Sequence, residues 1–542
     1  MTNWNFADVW DVVAETFPDR PAVAQGEARL TWRQFERRAS SVAAALRDAG
    51  LGHQSKVAQY MYNCPAYLES LYACFKAGLV PVNTNYRYTD DELVYLWDNA
   101  DAEAVIFSAS FTERVERIRG RVPKVRRWLW LADGGHGECP QWAADYRSVA
   151  GATPPAQGGG PRSGDDMLFI YTGGTTGMPK GVMWRQDDLF AVLNRTGEVR
   201  YPPEGSLDDV RATLQAPSKY PPARLVPGPP LMHGTGLFTA MSVLSSAGSV
   251  VMPESRHLDV VALLDLIEAE KVTEMSIVGD AFAKPILAAL DAEPDRWDIS
   301  SLWLIISSGV MWSAEVKDGL LRHNPRLILA DTLGSSEAVG MARSTSRAGR
   351  TSQTADFVLG DDTKVLTDDG RQVAPGSDEQ GRLALRGRGP MGYYKDPEKT
   401  ASTFLVIDGE RWTVPGDFAT VRADGSVQLL GRGSVCINTG GEKVFPEEVE
   451  EVLKLHPAVA DAVVVGVPDE RFGETVTAVV EVAGGEKRPD DAELIDWVRG
   501  RLAAYKAPRH VVGIDTIGRS PSGKVDYRRL RQHAVERVGT PA

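Results

Sequence analysis

The sequence predicts an α/β protein: a large N-terminal part of parallel-type sheets flanked by helices, a β-rich subdomain within it, and a small α+β part at the C-terminus. Helical and strand periods alternate through the first 130 residues and again from Ser249. Such an order pairs strands in parallel and lays helices over both faces of the sheet. Between about Lys364 and Leu430 the pattern changes to shorter strands and turns. A length of 542 residues exceeds one ordinary core, so two or three domains are expected.

Taken in order, Val9, Val12, Val13 and Phe17 share one helical face, Phe35, Ala39, Val42 and Leu46 a second, and Leu68, Leu71, Tyr72 and Phe75 a third. The short apolar runs Val57–Tyr60, Val80–Val82 and Ala104–Phe107 read as buried strands. A Gly- and Pro-rich loop spans Gly151 to Gly164, and the stretch from about Tyr201 to Pro229 reads as a polar, proline-punctuated insertion. Strands are expected at Ser249–Met252, Thr273–Ile277 and Leu302–Ile306, with a helix on Val260, Leu263, Leu264 and Ile267. Asp368-Asp-Gly370 and Asp424-Gly425 are hairpin signals. Near the end Pro446 opens a helix carrying Val449, Val452 and Leu453, Ala462–Val465 is a strand, and Leu494, Ile495, Val498 and Leu502 mark another helix. The module boundary falls near Gly431-Arg432-Gly433.

A hydrophobic fraction of 43% and a charged fraction of 25% are those of a globular protein. No uncharged apolar run approaches the ~20 residues of a membrane span, and no secretory signal opens the sequence, so the expected location is cytoplasmic. Cys64, Cys74, Cys139 and Cys436 lack metal-ligand spacing and read as reduced thiols. A formal charge of -13 excludes a general nucleic-acid binder. A local basic cluster can still hold a nucleotide's phosphates.

The stretch with the most chemical content is Tyr171-Thr-Gly-Gly-Thr-Thr-Gly-Met-Pro-Lys-Gly181, entered from the apolar Met167–Ile170. Gly173, Gly174 and Gly177 let the backbone turn its N–H groups inward, Thr172, Thr175 and Thr176 add hydroxyls, and Lys180 adds a charge. That composition suits polyphosphate. It is not a Walker A loop, because Pro179 before Lys180 disfavours helix at Met178.

The string resembles the signature of the adenylate-forming superfamily, in its acyl-CoA synthetase branch, and further stations resemble it in the same order. Pro230-Leu-Met-His233-Gly234 matches the mouth of the family's acyl pocket. Ser307-Ser-Gly-Val310 matches the segment lying along adenine and the acyl group, with Gly309 allowing close approach and Ser308 beside it. Asp331-Thr-Leu-Gly-Ser-Ser-Glu337 matches the adenine and metal station, so Asp331, Thr332, Leu333, Gly334, Ser335 and Ser336 are implied nucleotide contacts. Glu337 is the implied Mg²⁺ carboxylate, with Thr176 as a second ligand. Leu333 departs from the family's usual aromatic residue, replacing stacking on adenine with apolar contact.

Trp412-Thr-Val-Pro-Gly-Asp417 and Gly431-Arg432 match the two ribose stations. Ser434 stands where the family bends, often at Asp or Lys. The resemblance therefore implies an N-terminal adenylation domain of residues 1–432 with its β-rich subdomain at about 345–430, a hinge at 433–435 and a small mobile C-terminal domain at 436–542. In that last domain Gly440, Gly441 and Lys443 match the loop that faces the nucleotide during thioester formation, and Lys524 matches the lysine of the first half-reaction. The implied catalytic set is Lys524, Glu337 and Thr176.

An acyl pocket is expected along His233–Met241, Val278–Pro285 with Gly279 and Asp280, and Ser308–Trp312. Gly181-Val-Met-Trp-Arg185 and Gly279–Pro285 are similar to actinobacterial synthetases for fatty acids or steroid side-chain acids. The reading is ATP-dependent activation of an apolar carboxylic acid as its adenylate, then transfer to coenzyme A, with ATP, Mg²⁺ and coenzyme A as cofactors. A homodimer is compatible with it. Two alternatives stay open: an adenylation enzyme that loads a carrier protein, and a catalytically silent binder of acyl or adenylate ligands.

Overall fold

The computed structural model describes residues 3–134, 137–153, 160–172, 178–197, 199–218, 221–310, 312–432, 435–439, 442–469, 473–484, 488–502, 504–520 and 525–539. Among them the strands form three sheets.

In the largest sheet, Pro21–Gln25, Ser249–Val251, Arg224–Pro227, Glu274–Ile277, Leu304–Ser308 and Ile328–Leu333 lie side by side in parallel. From Ala342–Ser346 onward the pairing turns antiparallel, through Asp356–Leu359, Val427–Arg432 and Asp417–Val421 to Gln380–Arg386. The β-rich segment is thus hydrogen-bonded to the parallel half as one continuous sheet. The second sheet is parallel from Met167–Thr172 through Val80–Asn83, Lys56–Tyr60, Ala102–Ser108 and Arg127–Leu131, with Lys180–Arg185 and Gly392–Tyr393 added antiparallel at one edge. The third, built on the paired strands Val459–Asp469 and Gly473–Val482, belongs to the C-terminal part.

Between the two large sheets lies the main core. Helices Phe6–Thr16, Trp32–Asp48 and Pro65–Ala77 fill it with Phe6, Trp10, Phe35, Tyr72 and Phe75, packed against Leu168 and Ile170 of one sheet and Leu225 and Val250 of the other. A helix buried on every side needs its charges paired. Lys76 in the third helix lies 2.9 Å from Glu36 and against Asp11, which Arg162 also reaches at 2.7 Å.

The stretch from Tyr201 to Pro229 differs from a plain insertion. It holds the helix Leu207–Gln215, started by a capping box in which the Asp209 N–H donates to Ser206 Oγ and the Ser206 N–H to Asp209 Oδ2. It also holds Arg224–Pro227, an interior strand of the parallel sheet. Four residues ending in proline carry too little pattern to be told from a loop. The hairpin at Asp424-Gly425, the helix from Pro446 and four cysteines that form no disulfide agree with the sequence reading.

Candidate active site

Parallel strands all point one way, so the loops leaving their carboxyl ends share one rim, where ligands of open α/β sheets bind. Several of the stations singled out in the sequence sit at such strand ends. Thr172 ends Met167–Thr172, Ser308 ends Leu304–Ser308 and is followed by Gly309 at φ 95°, and Leu333 ends Ile328–Leu333, followed by Gly334 to Glu337. Gly279 follows Glu274–Ile277. The chain leaving Arg224–Pro227 reaches His233, whose extended backbone starts the helix Gly234–Ser245.

The glycine-threonine string runs between two antiparallel strands, Met167–Thr172 and Lys180–Arg185. Thr172 and Lys180 face each other across the antiparallel pair, and the chain goes on as strand, not helix, as Pro179 requires. Residues Gly173, Gly174, Thr175, Thr176 and Gly177 lie outside the described residues, as do Ser434, Gly440, Gly441 and Lys524. Lys180 Nζ makes a 2.5 Å ion pair with Asp396 Oδ2, which holds the Asp396 carboxyl below its usual range.

Three contacts tie the stations together. Asn83 at the end of Val80–Asn83 accepts from the Tyr171 N–H at 2.6 Å, and its amide donates to the carbonyls of Tyr171 and Met232 at 3.0 and 2.7 Å. It joins the strand Met167–Thr172 to the His233 segment. Trp184 Nε1 donates to the Ser336 carbonyl at 2.8 Å, joining the exit strand to the Glu337 loop. Tyr393 O–H donates to Glu337 Oε1 at 2.8 Å. Ser335 Oγ accepts from the N–H groups of Glu337 and Ala338, both at 3.2 Å, and so fixes the turn that presents Glu337. Asn83, Trp184, Tyr393 and Asp396 escape sequence reasoning. Each acts through a partner at least 56 residues distant in the chain, and a single sequence carries no signal of such pairing.

Other predicted residues have structural employment. Asp331 is buried and its Oδ2 lies 3.5 Å from Lys317 Nζ; burial lifts its carboxyl to about 6, against the pull of Lys317. Thr332 O–H donates to the Ser307 carbonyl at 2.9 Å, and the Gly279 N–H donates to Ser307 Oγ at 3.0 Å. Asp280 Oδ1 accepts from the Ser313 N–H and O–H, steadying the start of the helix Ala314–His323. Along the segments expected to border the acyl pocket, Ala240, Met241, Ala283 and Trp312 are wholly buried in hydrophobic cores. Asp417 is buried and directly opposite Arg432 across the antiparallel pair Asp417–Val421 and Val427–Arg432.

Parallel strands whose carboxyl ends gather a glycine-rich string and a carboxylate are the arrangement of α/β proteins that bind nucleotides there. This chain belongs to the AMP-binding enzyme family: residues 10–395 match that family, and residues 448–524 match the AMP-binding enzyme C-terminal domain. It is 40% identical to the medium/long-chain-fatty-acid–CoA/3-oxocholest-4-en-26-oate–CoA ligase of Mycobacterium marinum, over 98% of this chain and 97% of the relative. It is 39% identical to the 3-oxocholest-4-en-26-oate–CoA ligase of Rhodococcus rhodochrous, over 97% and 95%. The crystal structure of an anthranilate CoA ligase in complex with anthranoyl-AMP superposes with a TM-score of 0.83 at 22% identity, covering 99% of this chain and 98% of that one, which establishes the shared fold.

Proposed function

We propose that this chain is an AMP-forming acyl-CoA synthetase acting on an apolar carboxylic acid, a medium- or long-chain fatty acid or a steroid side-chain acid. The observation that carries the proposal is the convergence of the Thr172–Lys180 hairpin, the His233 segment and the Glu337 loop on one strand-end rim, linked through Asn83 and Trp184. Relatives at 39–40% identity over nearly the whole chain carry CoA-ligase names, which supports the same chemistry here.

In this reading the backbone N–H groups and hydroxyls of residues 172–177, with Lys180, hold the β- and γ-phosphates as a leaving group. Asp417 accepts from the ribose hydroxyls with Arg432 beside it. The rim segment Ser308–Gly309 lies along the adenosine. The substrate carboxylate attacks the α-phosphate, and Lys524 neutralises the charge that builds on its oxygens, a stabilisation strong in a site closed to water. Glu337 and the Thr176 hydroxyl would hold Mg²⁺ with phosphate oxygens; the donors are hard oxygens, which fit that ion, and Glu337 Oε2 has no hydrogen bond among the described residues. The ion would supply charge neutralisation on the phosphates. The Gly440-Gly441 loop then admits the coenzyme A thiol to the acyl carbonyl.

The test is pyrophosphate release and thioester formation over a panel of fatty, steroid side-chain and aromatic acids, each with and without coenzyme A. The expected result is acid-dependent release with CoA thioester from the apolar aliphatic or steroid acids. Release without thioester would instead support carrier loading, and no release with any acid would leave a silent binder.

A further inference from the structure

Midway through the β-rich segment the chain comes back to the nucleotide rim and touches it twice within four residues. Met391 and Tyr394 donate their N–H groups to the carbonyls of Met183 and Gly181, both at 2.8 Å, which lays Gly392–Tyr393 along the strand that leaves the phosphate loop. From that backbone Tyr393 O–H reaches Glu337 Oε1 at 2.8 Å, and Asp396 Oδ2 reaches Lys180 Nζ at 2.5 Å.

The segment is built to be stiff. Gly392 has φ 155°, and a Cβ there would stand 2.5 Å from Thr400 Cγ2, so only glycine passes. Thr400 Oγ1 accepts from the Tyr393 N–H at 2.9 Å and donates to the Asp396 carbonyl at 2.7 Å. Asp396 Oδ1 accepts from the Lys399 N–H at 2.9 Å and caps the helix Pro397–Thr403. On the outer side Tyr394 O–H and Lys395 Nζ both bind Asp101 Oδ2 at 2.7 Å. The Tyr393 ring is 6% exposed and packs on Phe404 with centroids 5.8 Å apart.

We propose that Gly392–Asp396 is a positioning strap for the nucleotide site: Tyr393 fixes the orientation of the Glu337 carboxylate, and Asp396 fixes the Lys180 ammonium. The proposal rests on reading Glu337 as the metal carboxylate and Lys180 as a phosphate lysine. A carboxylate with one oxygen tied to a buried phenol has a single orientation and offers its other oxygen outward. A small hard cation is sensitive to that direction. Because one stiff segment holds both groups, the spacing between metal and phosphate contacts is set by the strap and not by two independent side-chain rotamers.

The experiment measures pyrophosphate release against Mg²⁺ concentration, and directly the binding of Mn²⁺ in the presence of ATP by electron paramagnetic resonance, for the full chain, its Tyr393→Phe variant and its Glu337→Gln variant. Mn²⁺ binding that is no weaker in Tyr393→Phe than in the full chain overturns the strap. Tyr393→Phe keeps the ring on Phe404 and removes only the hydroxyl. The Mg²⁺ concentration for half-maximal release is expected to rise about ten-fold, with the KM of the acid within about two-fold and partial recovery in Mn²⁺, a larger ion less strict in its geometry. An unchanged Mg²⁺ curve for Tyr393→Phe, beside a strongly altered one for Glu337→Gln, overturns the strap while leaving the metal assignment standing. Unchanged curves for both overturn the assignment of Glu337 itself. Should Tyr393→Phe fail to fold, Asp396→Asn is the second arm: asparagine keeps the helix cap and removes the charge. The KM for ATP is expected to rise about five-fold, and an unchanged or lower KM overturns the proposal.

Discussion

Asp417 and Arg432 face each other across two strands joined by the Asp424-Gly425 turn, so the pair proposed for the ribose is held by local hairpin geometry. A buried carboxylate that accepts from two hydroxyls contributes about 1.5–3 kcal/mol for each bond to the charged group. Asp417→Ala is therefore expected to lower kcat/KM for ATP by about two orders of magnitude or more. The sharper readout is the analogue: 2′-deoxy-ATP and 3′-deoxy-ATP should be poor substrates for the native chain, and the variant should no longer distinguish them from ATP. A variant that still penalises the deoxynucleotides would mean that other groups read those hydroxyls. At this scale a sequence nominates residues whose proposed chemistry rests on one residue type in a short string, as with Glu337 or Lys180. It is silent on partners such as Tyr393 and Asp396, because a hydrogen bond across 56 residues or an ion pair across 216 leaves no local pattern.

Strands and helices set which face a side chain takes, and this decides the fate of Asp331. Neighbours on a strand point to opposite faces, so Asp331 and Thr332 cannot both line the same surface. The structure turns Asp331 inward to Lys317 on the helix Ala314–His323, where the side chains are 6% and 1% exposed. The motif string marks Asp331 as a nucleotide residue because a string has no faces; its cation lies 14 positions earlier on another element. The pair supports a pH test. Burial, opposed by Lys317 and reinforced by the nearby carboxylates of Asp280 and Glu451, raises the Asp331 pKa from 3.8 to about 6. A raised folded-state value means the carboxyl adds stability below its unfolded pKa and loses it as pH climbs through about 6. In Lys317→Met the cation opposing that shift is gone, so the folded value rises further. At pH 5 the acid is largely neutral and the methionine fits an apolar site. At pH 8 the variant must bury a bare carboxylate or protonate it. The loss in Tm relative to the native chain should be larger at pH 8 than at pH 5, which thermal melts at the two values check; equal losses would mean the pair is not coupled.

Across the whole molecule, the C-terminal part rests on the N-terminal part through the helix Pro446–Lys454, which packs against the strand Val427–Arg432. The Phe418 and Phe445 rings lie 5.5 Å apart at this junction. Glu451 on the same helix is partly buried, which raises its carboxyl, and it feels Asp280 and Lys284 of the segment expected to border the acyl pocket. The acidic helix therefore belongs to the surroundings of the rim in this arrangement, and a rotation of the C-terminal part would exchange it for another face. Alternation of the overall fold was readable from periodicity, because long amphipathic helices and buried strands leave strong patterns. The stacking of the two large sheets around the helix Pro65–Ala77 was not, since a helix buried on all sides shows no polar face to orient it. If one crevice serves both half-reactions in turn, two lesions in the C-terminal part must separate them. Lys524→Ala should slow acid-dependent pyrophosphate release about 10²-fold or more while conversion of supplied acyl-adenylate and coenzyme A to thioester stays within a few-fold. Gly441→Leu, which fills the path proposed for the thiol arm, should do the reverse, sparing adenylate formation and blocking thioester. Single-turnover measurements of each half-reaction on the two variants decide the matter: if both lesions slow both steps alike, the two parts of the chain act as one rigid site, and the alternation proposed between them is wrong.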